Sequence, residues 1–355
     1  MSKTKIAVIG VGNISNAHIS AYQKNPDVEL YAFCDINETQ LKAMGEKYGV
    51  TRLYTDKDEM LQELPEIEAV SVCTWNSAHA PCAIAALNAG KHVLCEKPMA
   101  TSAQEAQAML DAARKNNKSL MIGFVCRFNK DTRILREFID MNYFGDFYYG
   151  KAVYLRRNGN PGGWFGDKSR SAGGPVIDLG VHIIDQTRYL MGNPKPVSVY
   201  GATFQKLFDR PNIKTPKAYK SISASENDIC DVEDLASAMI RYDNGAVLQI
   251  EVSFSLNLKK GESRVQMFGT KGGVTLEDGA IEFYTELNDY MADVNLAGLE
   301  TLAGESGFDN EINHFVECVR TGIPCRAPGE DGVEIMRILD AIYESARTGH
   351  EVVLG

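Results

Sequence analysis

Ile6-Ala7-Val8-Ile9-Gly10-Val11-Gly12-Asn13-Ile14-Ser15 is the stretch that decides the fold. An apolar, β-branched run over residues 5–9 ends in two glycines, and residues 15–25 then carry a helical pattern. The first glycine permits a tight turn, and the second lets a phosphate approach the backbone. The helix that follows offers its N–H groups and the positive end of its dipole. Ser15 replaces the third glycine of this fingerprint and is small enough to pack against the strand. Asp35 lies 23 residues after Gly12, at the end of the second apolar run, where a carboxylate accepts bonds from ribose hydroxyls. An aspartate there can also cap a helix or a turn, but the order strand, glycines, helix, acid favours the ribose role. Gly10, Gly12, Asn13, Ile14 and Asp35 therefore predict a dinucleotide site. Asp35 selects NAD over NADP, because it repels a 2′-phosphate and is followed by Ile36 and Asn37 rather than arginine.

Outward from this stretch, short apolar runs alternate with longer amphipathic ones. Strands are expected at 28–34, 69–73, 92–95 and 120–124, and helices at 38–48, 58–64, 78–89 and 103–116. Ser102 with Glu105 forms a capping box before the Ala-rich helix. Such alternation predicts a parallel, doubly wound sheet, a Rossmann domain over residues 1–124. Past residue 124 a helix at 132–140 gives way to strand-like runs at 150–155, 197–203, 236–242, 246–254 and 263–269. Asn244-Gly245 and Lys271-Gly272-Gly273 are hairpin-type turns between them. Residues 207–230 and 286–307 lack periodicity and read as loops, and 308–320 and 331–347 are closing helices. The fold class is thus α/β plus α+β. A second domain, 125–355, is built on an open-faced, mostly antiparallel sheet, and its last helix is free to pack back on the first domain.

Composition bounds the partners. The 355 residues carry a formal net charge of -10, and basic residues occur as pairs such as Arg156-Arg157 rather than tracts. That argues against a nucleic-acid partner. No apolar run is long enough to span a membrane or serve as a signal peptide, so a cytoplasmic protein with no membrane partner is expected. None of the eight cysteines forms a Cys-x-x-Cys pair, so reduced thiols and no metal site are expected.

The stretch Ala89-Gly90-Lys91-His92-Val93-Leu94-Cys95-Glu96-Lys97-Pro98-Met99-Ala100 resembles the signature of the Gfo/Idh/MocA oxidoreductases, the glucose-fructose oxidoreductase and inositol dehydrogenase family. The likeness extends to Cys73-Thr74-Trp75-Asn76 with His79, to Gly123-Phe124-Val125-Cys126-Arg127-Phe128 and to Gly162-Gly163-Trp164-Phe165. It continues through Gly173-Gly174-Pro175-Val176-Ile177-Asp178-Leu179-Gly180-Val181-His182 to Asp185, and through Gly329-Glu330-Asp331-Gly332. The resemblance implies NAD-linked chemistry on sugars or cyclitols and a second domain that mediates dimers or tetramers. It places Thr74, Trp75, Asn76, His79, Glu96 and Lys97 at the cofactor. Lys97 also touches substrate, and Asp178 and His182 are the D-x-x-x-H pair. Trp75 departs from the family pattern, in which proline is common.

The chemistry suits these residues. Oxidising a secondary alcohol requires a base near the hydroxyl while hydride leaves the same carbon. Asp178 and His182 are four apart and share a helical face, with Pro175 suited to the first turn. His182 is the expected base, Asp178 orients or charge-tunes it, and Lys97 stabilises alkoxide charge, with a Lys97 base as the alternative. Asp185, His18, His92, His314 and His350 read as structural or exposed. Arg127, Arg156, Arg157, Asn160 and Trp164 are candidates for a sugar pocket, against a plain packing or surface role. Three kinds of function follow. One is net oxidation of a ring hydroxyl, at C3 of a glucoside or on an inositol. The second is transient redox in a glycosidase, lyase or epimerase. The third is a non-catalytic NAD or sugar sensor.

Overall fold

The run that opens the chain forms strand β1 (Thr4–Ile9), in which Ile6, Ala7 and Val8 are fully buried. The computed structural model describes residues 2–207, 210, 213, 214, 217, 219–296, 298 and 306–355. The chain divides into two compact units, Met1–Phe128 with Glu305–Met336, and Asn129–Gly304 with Arg337–Gly355.

In the first unit β1 is followed by α1 (Ser15–Lys24), β2 (Val28–Cys34), α2 (Glu38–Tyr48), β3 (Leu53–Tyr54), α3 (Lys57–Glu63) and β4 (Ala69–Val72). Then come α4 (His79–Asn88), β5 (His92–Glu96), α5 (Ala103–Lys115) and β6 (Leu120–Gly123). The six strands are ordered β3-β2-β1-β4-β5-β6, all parallel, so the order reverses between β1 and β4. Val8, Val11, Ile19, Phe33, Leu41, Met44, Val50 and Cys73 form one buried cluster that fixes α1 and α2 against the sheet. Each large apolar side chain of this kind contributes on the order of 2 kcal/mol. Ser102 caps α5 by accepting from the Glu105 N–H, but the Glu105 carboxylate accepts from the N–H and hydroxyl of Thr101 rather than completing the box on Ser102.

The expected boundary at residue 124 differs from this division, because residues 305–336 belong with the first unit. Polar pairs tie them there. Lys24 meets Asp309 at 2.8 Å, Asn25 donates to Asn313 at 2.8 Å, and Pro328 bridges Met121 on the edge strand β6.

The second unit holds α6 (Lys130–Asp140), β7 (Phe147–Leu155), α7 (Lys168–Ser171), α8 (Val181–Leu190), β8 (Pro196–Phe204), β9 (Leu235–Tyr242), β10 (Val247–Ser253) and β11 (Glu262–Gly269). It continues with β12 (Gly272–Glu277), β13 (Ala280–Leu287) and β14 (Tyr290–Asn295). The helix α9 (Gly307–Thr321) belongs to the first unit, α10 (Gly329–Thr348) is shared by sequence, and β15 (Val352–Val353) closes the second. The nine strands run β14-β13-β12-β11-β7-β10-β9-β8-β15, antiparallel except for the β7–β10 pair. Ala152, Leu248, Ile250, Val252, Ile240 and Met267 point to the buried face. The opposite face carries the aligned row Tyr200, Met239, Gln249, Lys151 and Gln266, with Tyr200 55% and Met239 49% exposed, so the sheet is open on that side.

The loop expected over 286–307 is in part a hairpin, β13 with β14. Its turn is Asn288-Asp289, both at positive φ, as a tight primed turn requires, and Asp278-Gly279 makes the same kind of turn before it. Ile281 and Phe283 of β13 are buried, but the end of β13 and the edge strand β14 bury little on either face, so residues 286–295 leave no apolar period to read. Residues 297 and 299–305 of that expected loop, and 208, 209, 211, 212, 215, 216 and 218 of the other, lie outside the described residues. The described part of 207–230 is irregular, as expected.

Candidate cofactor and catalytic sites

The loops after β1, β2, β4 and β5 all leave the carboxyl edge of the parallel sheet, beside the point where strand order reverses. Gly10 has φ +86°, and a Cβ there would stand 2.7 Å from Cys73 C and Thr74 N, so the β1 and β4 loops touch only because residue 10 is glycine. A Cβ on Gly12 would meet nothing within 4 Å, which leaves open space over its backbone. No side chain caps α1 at Ile14 and no acidic residue sits in its first turn, so the helix N-terminus suits an anion. Ser15 is buried and donates to Gly12 O at 2.8 Å, which locks the turn. Asp35 accepts from the Val11 N–H at 2.8 Å with one oxygen and from the Asn37 N–H at 2.8 Å with the other. Its carboxylate is thereby held at the mouth of the glycine turn, half exposed, with Asn13 beside it exposed. These features fit a dinucleotide with a diol ribose.

Thr74 and Trp75 are half-exposed after β4, and Asn76 is buried at the start of a short 3₁₀ turn. His79, expected at the cofactor, is instead fully enclosed. Its Nδ1 lies 2.7 Å from Pro98 O and its Nε2 3.1 Å from Thr74 O. Burial lowers the ring's pKa and the two carbonyls oppose that. A neutral ring donates to only one of these carbonyls, and His79 sits between the β4 and β5 loops inside the fold. Glu96, also expected at the cofactor, is buried as well. It is 5% exposed, one oxygen lies 2.8 Å from His18 Nε2, and the other accepts the Lys97 N–H at 3.1 Å. Burial opposes charge on both partners. For His18, Cys73 first and Glu96 second outweigh it and raise the pKa to about 10, and His18 holds Glu96 below the usual carboxylate value. Lys97 is the one residue of 93–100 that is not buried. Its backbone is gripped by Glu96 before it and by His79 through Pro98 after it.

In the second unit, Val176–Gly180 is a π-helical turn that runs directly into α8. The expected regular first turn is therefore wider than an α-helix, a feature common at functional sites. Between residues 173 and 188 every position is buried except Asp178 and His182, which are partly exposed, the Asp178 side chain at 15%. The wall around them includes Asp185, 1% exposed. Arg156 Nη1 stands 3.9 Å from Asp178 Oδ2, with both side chains largely covered. Glu233, which no sequence pattern marks, accepts from the N–H groups of Gly174 at 3.0 Å and Val176 at 3.1 Å and from the Tyr343 hydroxyl at 2.8 Å.

Two of the residues expected at the substrate are buried and partnered within their own units. Arg127 is 0% exposed, pairs with Asp331 at 2.8 Å and donates to Arg326 O at 2.7 Å, so its fork is part of the first unit's interior. Asn160 is 9% exposed, accepts from the Gly162 N–H at 2.9 Å and points its amide at Cys230, so it shapes its own loop. Arg157 is exposed and donates to Lys259 O at 3.2 Å. Trp164 stacks on Phe165 at 4.0 Å and lines a cavity of about 240 Å³ with Asp167, Arg170, Ser223 and Asp228. Among the described residues no group of three histidines, cysteines or carboxylates is placed to hold a metal, and no helix is long and apolar enough to cross a membrane.

A parallel sheet whose edge loops carry an open glycine turn and an aspartate at the end of β2 defines a dinucleotide-binding domain. The chain belongs to the Gfo/Idh/MocA family. The family model described as an oxidoreductase family with an NAD-binding Rossmann fold matches residues 4–124, and the model of its C-terminal alpha/beta domain matches residues 136–354. The chain is similar to the D-glucoside 3-dehydrogenase of Escherichia coli (strain K12), at 35% identity over 99% of this chain and 98% of that protein. It is 29% identical to the myo-inositol 2-dehydrogenase of Thermotoga maritima, over 92% of each chain. A levoglucosan dehydrogenase solved in complex with NADH shares the fold, with a TM-score of 0.85 at 24% identity over 100% of both chains. The protein is an NAD-dependent dehydrogenase of the sugar and polyol class.

Proposed function

We propose that the enzyme oxidises a ring secondary hydroxyl of a sugar or glycoside, with C3 of a glucoside, giving a 3-keto sugar, as the leading position. One observation carries the chemistry: Asp178 and His182 are the two positions of residues 173–188 that are not fully buried. The substrate class rests on the whole-length similarity to the glucoside dehydrogenase. His182 takes the hydroxyl proton as hydride leaves the carbon. Asp178, with Arg156 beside it, orients His182 and holds a neighbouring substrate hydroxyl. Lys97 binds the reacting oxygen and stabilises its developing negative charge. NAD, when bound, supplies the hydride acceptor at nicotinamide C4. Gly10, Gly12, Asn13 and Ile14 seat its phosphates, Asp35 its adenosine ribose, and Thr74, Trp75 and Asn76 its nicotinamide end. Trp164 offers a flat apolar face to a sugar ring and Arg157 a hydroxyl-binding fork.

The similarity to myo-inositol 2-dehydrogenase favours inositol oxidation as the second reading. The open sheet face with Tyr200 and Met239 supports a homo-oligomer, a dimer or tetramer, and eight cysteines outside any disulfide suit a cytoplasmic enzyme. The test is NADH absorbance with NAD and a panel of glucosides, free sugars and inositols. A rise confined to glucosides, with a 3-keto product, supports the first reading, and a rise confined to inositols replaces it with the second. No rise with any of them, but turnover of a glycoside without added NAD, identifies transient redox and overturns net oxidation.

A further inference from the structure

We infer that Glu233 is a positioning residue for Asp178 and His182, acting as a remote cap on the helical segment that carries them; this rests on the catalytic reading of that pair. A helix leaves its first N–H groups without partners inside the helix. Here Gly174 O accepts from Asp178 N at 3.0 Å and so begins the helical ladder. Pro175 has no N–H, which leaves the Gly174 and Val176 N–H groups, and the two Glu233 oxygens take one each. No residue of the segment itself caps it: Pro175 precedes the π turn and provides no side-chain bond. The oxygen that accepts from Val176 also accepts from the Tyr343 hydroxyl of α10. All three bonds lie within the second unit.

The double glycine follows from the same arrangement. A Cβ on Gly174 would stand 2.2 Å from Glu233 O, and one on Gly173 would stand 1.9 Å from the Tyr343 hydroxyl. Neither φ is in the left-handed region, so these glycines serve close approach and not an unusual backbone. Gly174 thus holds Glu233 through its N–H and Asp178 through its C=O. A shift of the carboxylate reaches Asp178 through a single residue and His182 one turn later. Glu233 is 9% exposed and two residues from β9, so the sheet fixes the anchor while the helix carries the reacting groups. Glu233 touches neither substrate nor cofactor in this role.

The test uses the full-length enzyme with NAD and its best glucoside. In Glu233→Gln the amide nitrogen faces one N–H donor, so one of the two capping bonds is lost while volume is kept. The expected result is at least a tenfold fall in kcat with KM and NADH affinity within threefold of wild type. A larger isotope effect is also expected with substrate deuterated at the reacting carbon, because misaligned base and acceptor slow hydride transfer. A purely structural role would lower the melting temperature without changing the isotope effect, and that outcome overturns the proposal. Tyr343→Phe is measured alongside; it removes one donor to Glu233 and should give a smaller fall in kcat with the same rise in isotope effect. If Glu233→Gln does not fold, wild-type kcat and isotope effect in Tyr343→Phe overturn the proposal. His182→Ala separates the two readings: full turnover in that variant defeats the catalytic assignment, whereas its loss beside an unaffected Glu233→Gln defeats only the positioning role.

Discussion

His18 and Glu96 meet at 2.8 Å with the imidazole fully buried, and the second oxygen of the same carboxylate holds the backbone N–H of Lys97. The residue expected to bind the reacting oxygen is therefore seated on a buried ion pair. Breaking one partner of such a pair costs about 3–5 kcal/mol, because the other charge is left uncompensated. Glu96→Gln should melt well below wild type at pH 7 by calorimetry. It should also weaken substrate binding, because the Lys97 loop loses its anchor.

The same pair sets an alkaline limit on stability. His18 has its pKa raised from 6.5 to about 10, so its contribution is fully present below pH 6.5 and is lost as pH rises through about 10. Glu96 is shifted the other way, so its contribution is present above its ordinary value and is lost on acidification through its lowered one. Melting temperature should fall between pH 7 and 10 in the wild type and fall less in His18→Gln. Equal slopes in the two proteins would contradict the pairing.

His182→Ala should lose roughly 10²–10⁴-fold in kcat, the usual contribution of a general base, while NADH affinity is unchanged. Fluorescence titration of NADH checks the second half. Loss of NADH binding along with turnover would mean that the residue supports the fold or the cofactor instead.

Asp35→Ser should raise the Kd for NAD by roughly tenfold, or about 1.4 kcal/mol, and narrow the preference over NADP. The carboxylate both carries the charge that repels a 2′-phosphate and accepts the Val11 and Asn37 N–H groups. Paired titrations with the two cofactors decide it, and an unchanged ratio would remove Asp35 from cofactor selection.

Gly10→Ala should destabilise the chain by about 2 kcal/mol or more and abolish NAD binding. A methyl group there faces Cys73 C and Thr74 N at 2.7 Å, and backbone cannot move aside as a side chain can. Gly12→Ala meets nothing in the protein, so it should fold normally and lose affinity only for the dinucleotide. Comparing melting curves with binding isotherms for the two variants separates these effects.

Much of the first unit was legible in the chain because its signals are local. A β-branched run, two glycines, a capping residue and an acid at the next strand end each act on near neighbours, so their order in sequence is their order in space. The β13–β14 hairpin was less legible. Its turn residues Asn288-Asp289 are informative, but the edge strand β14 buries too little to impose a period.

By itself the sequence determined the parallel sheet, the cofactor class and the i, i+4 pair of Asp178 and His182, because each depends on spacing along one segment. Only the tertiary structure decided that Glu96, His79 and Arg127 are held inside the first unit while Lys97 is not. It also showed that Glu233 reaches the helix carrying the pair from the loop before β9, more than fifty residues onward. Whether a polar side chain faces a ligand or a neighbouring carbonyl depends on which distant chain arrives beside it. A buried polar group must find a partner wherever one lies, and that choice is made across the fold, where residue type and spacing carry no record of it.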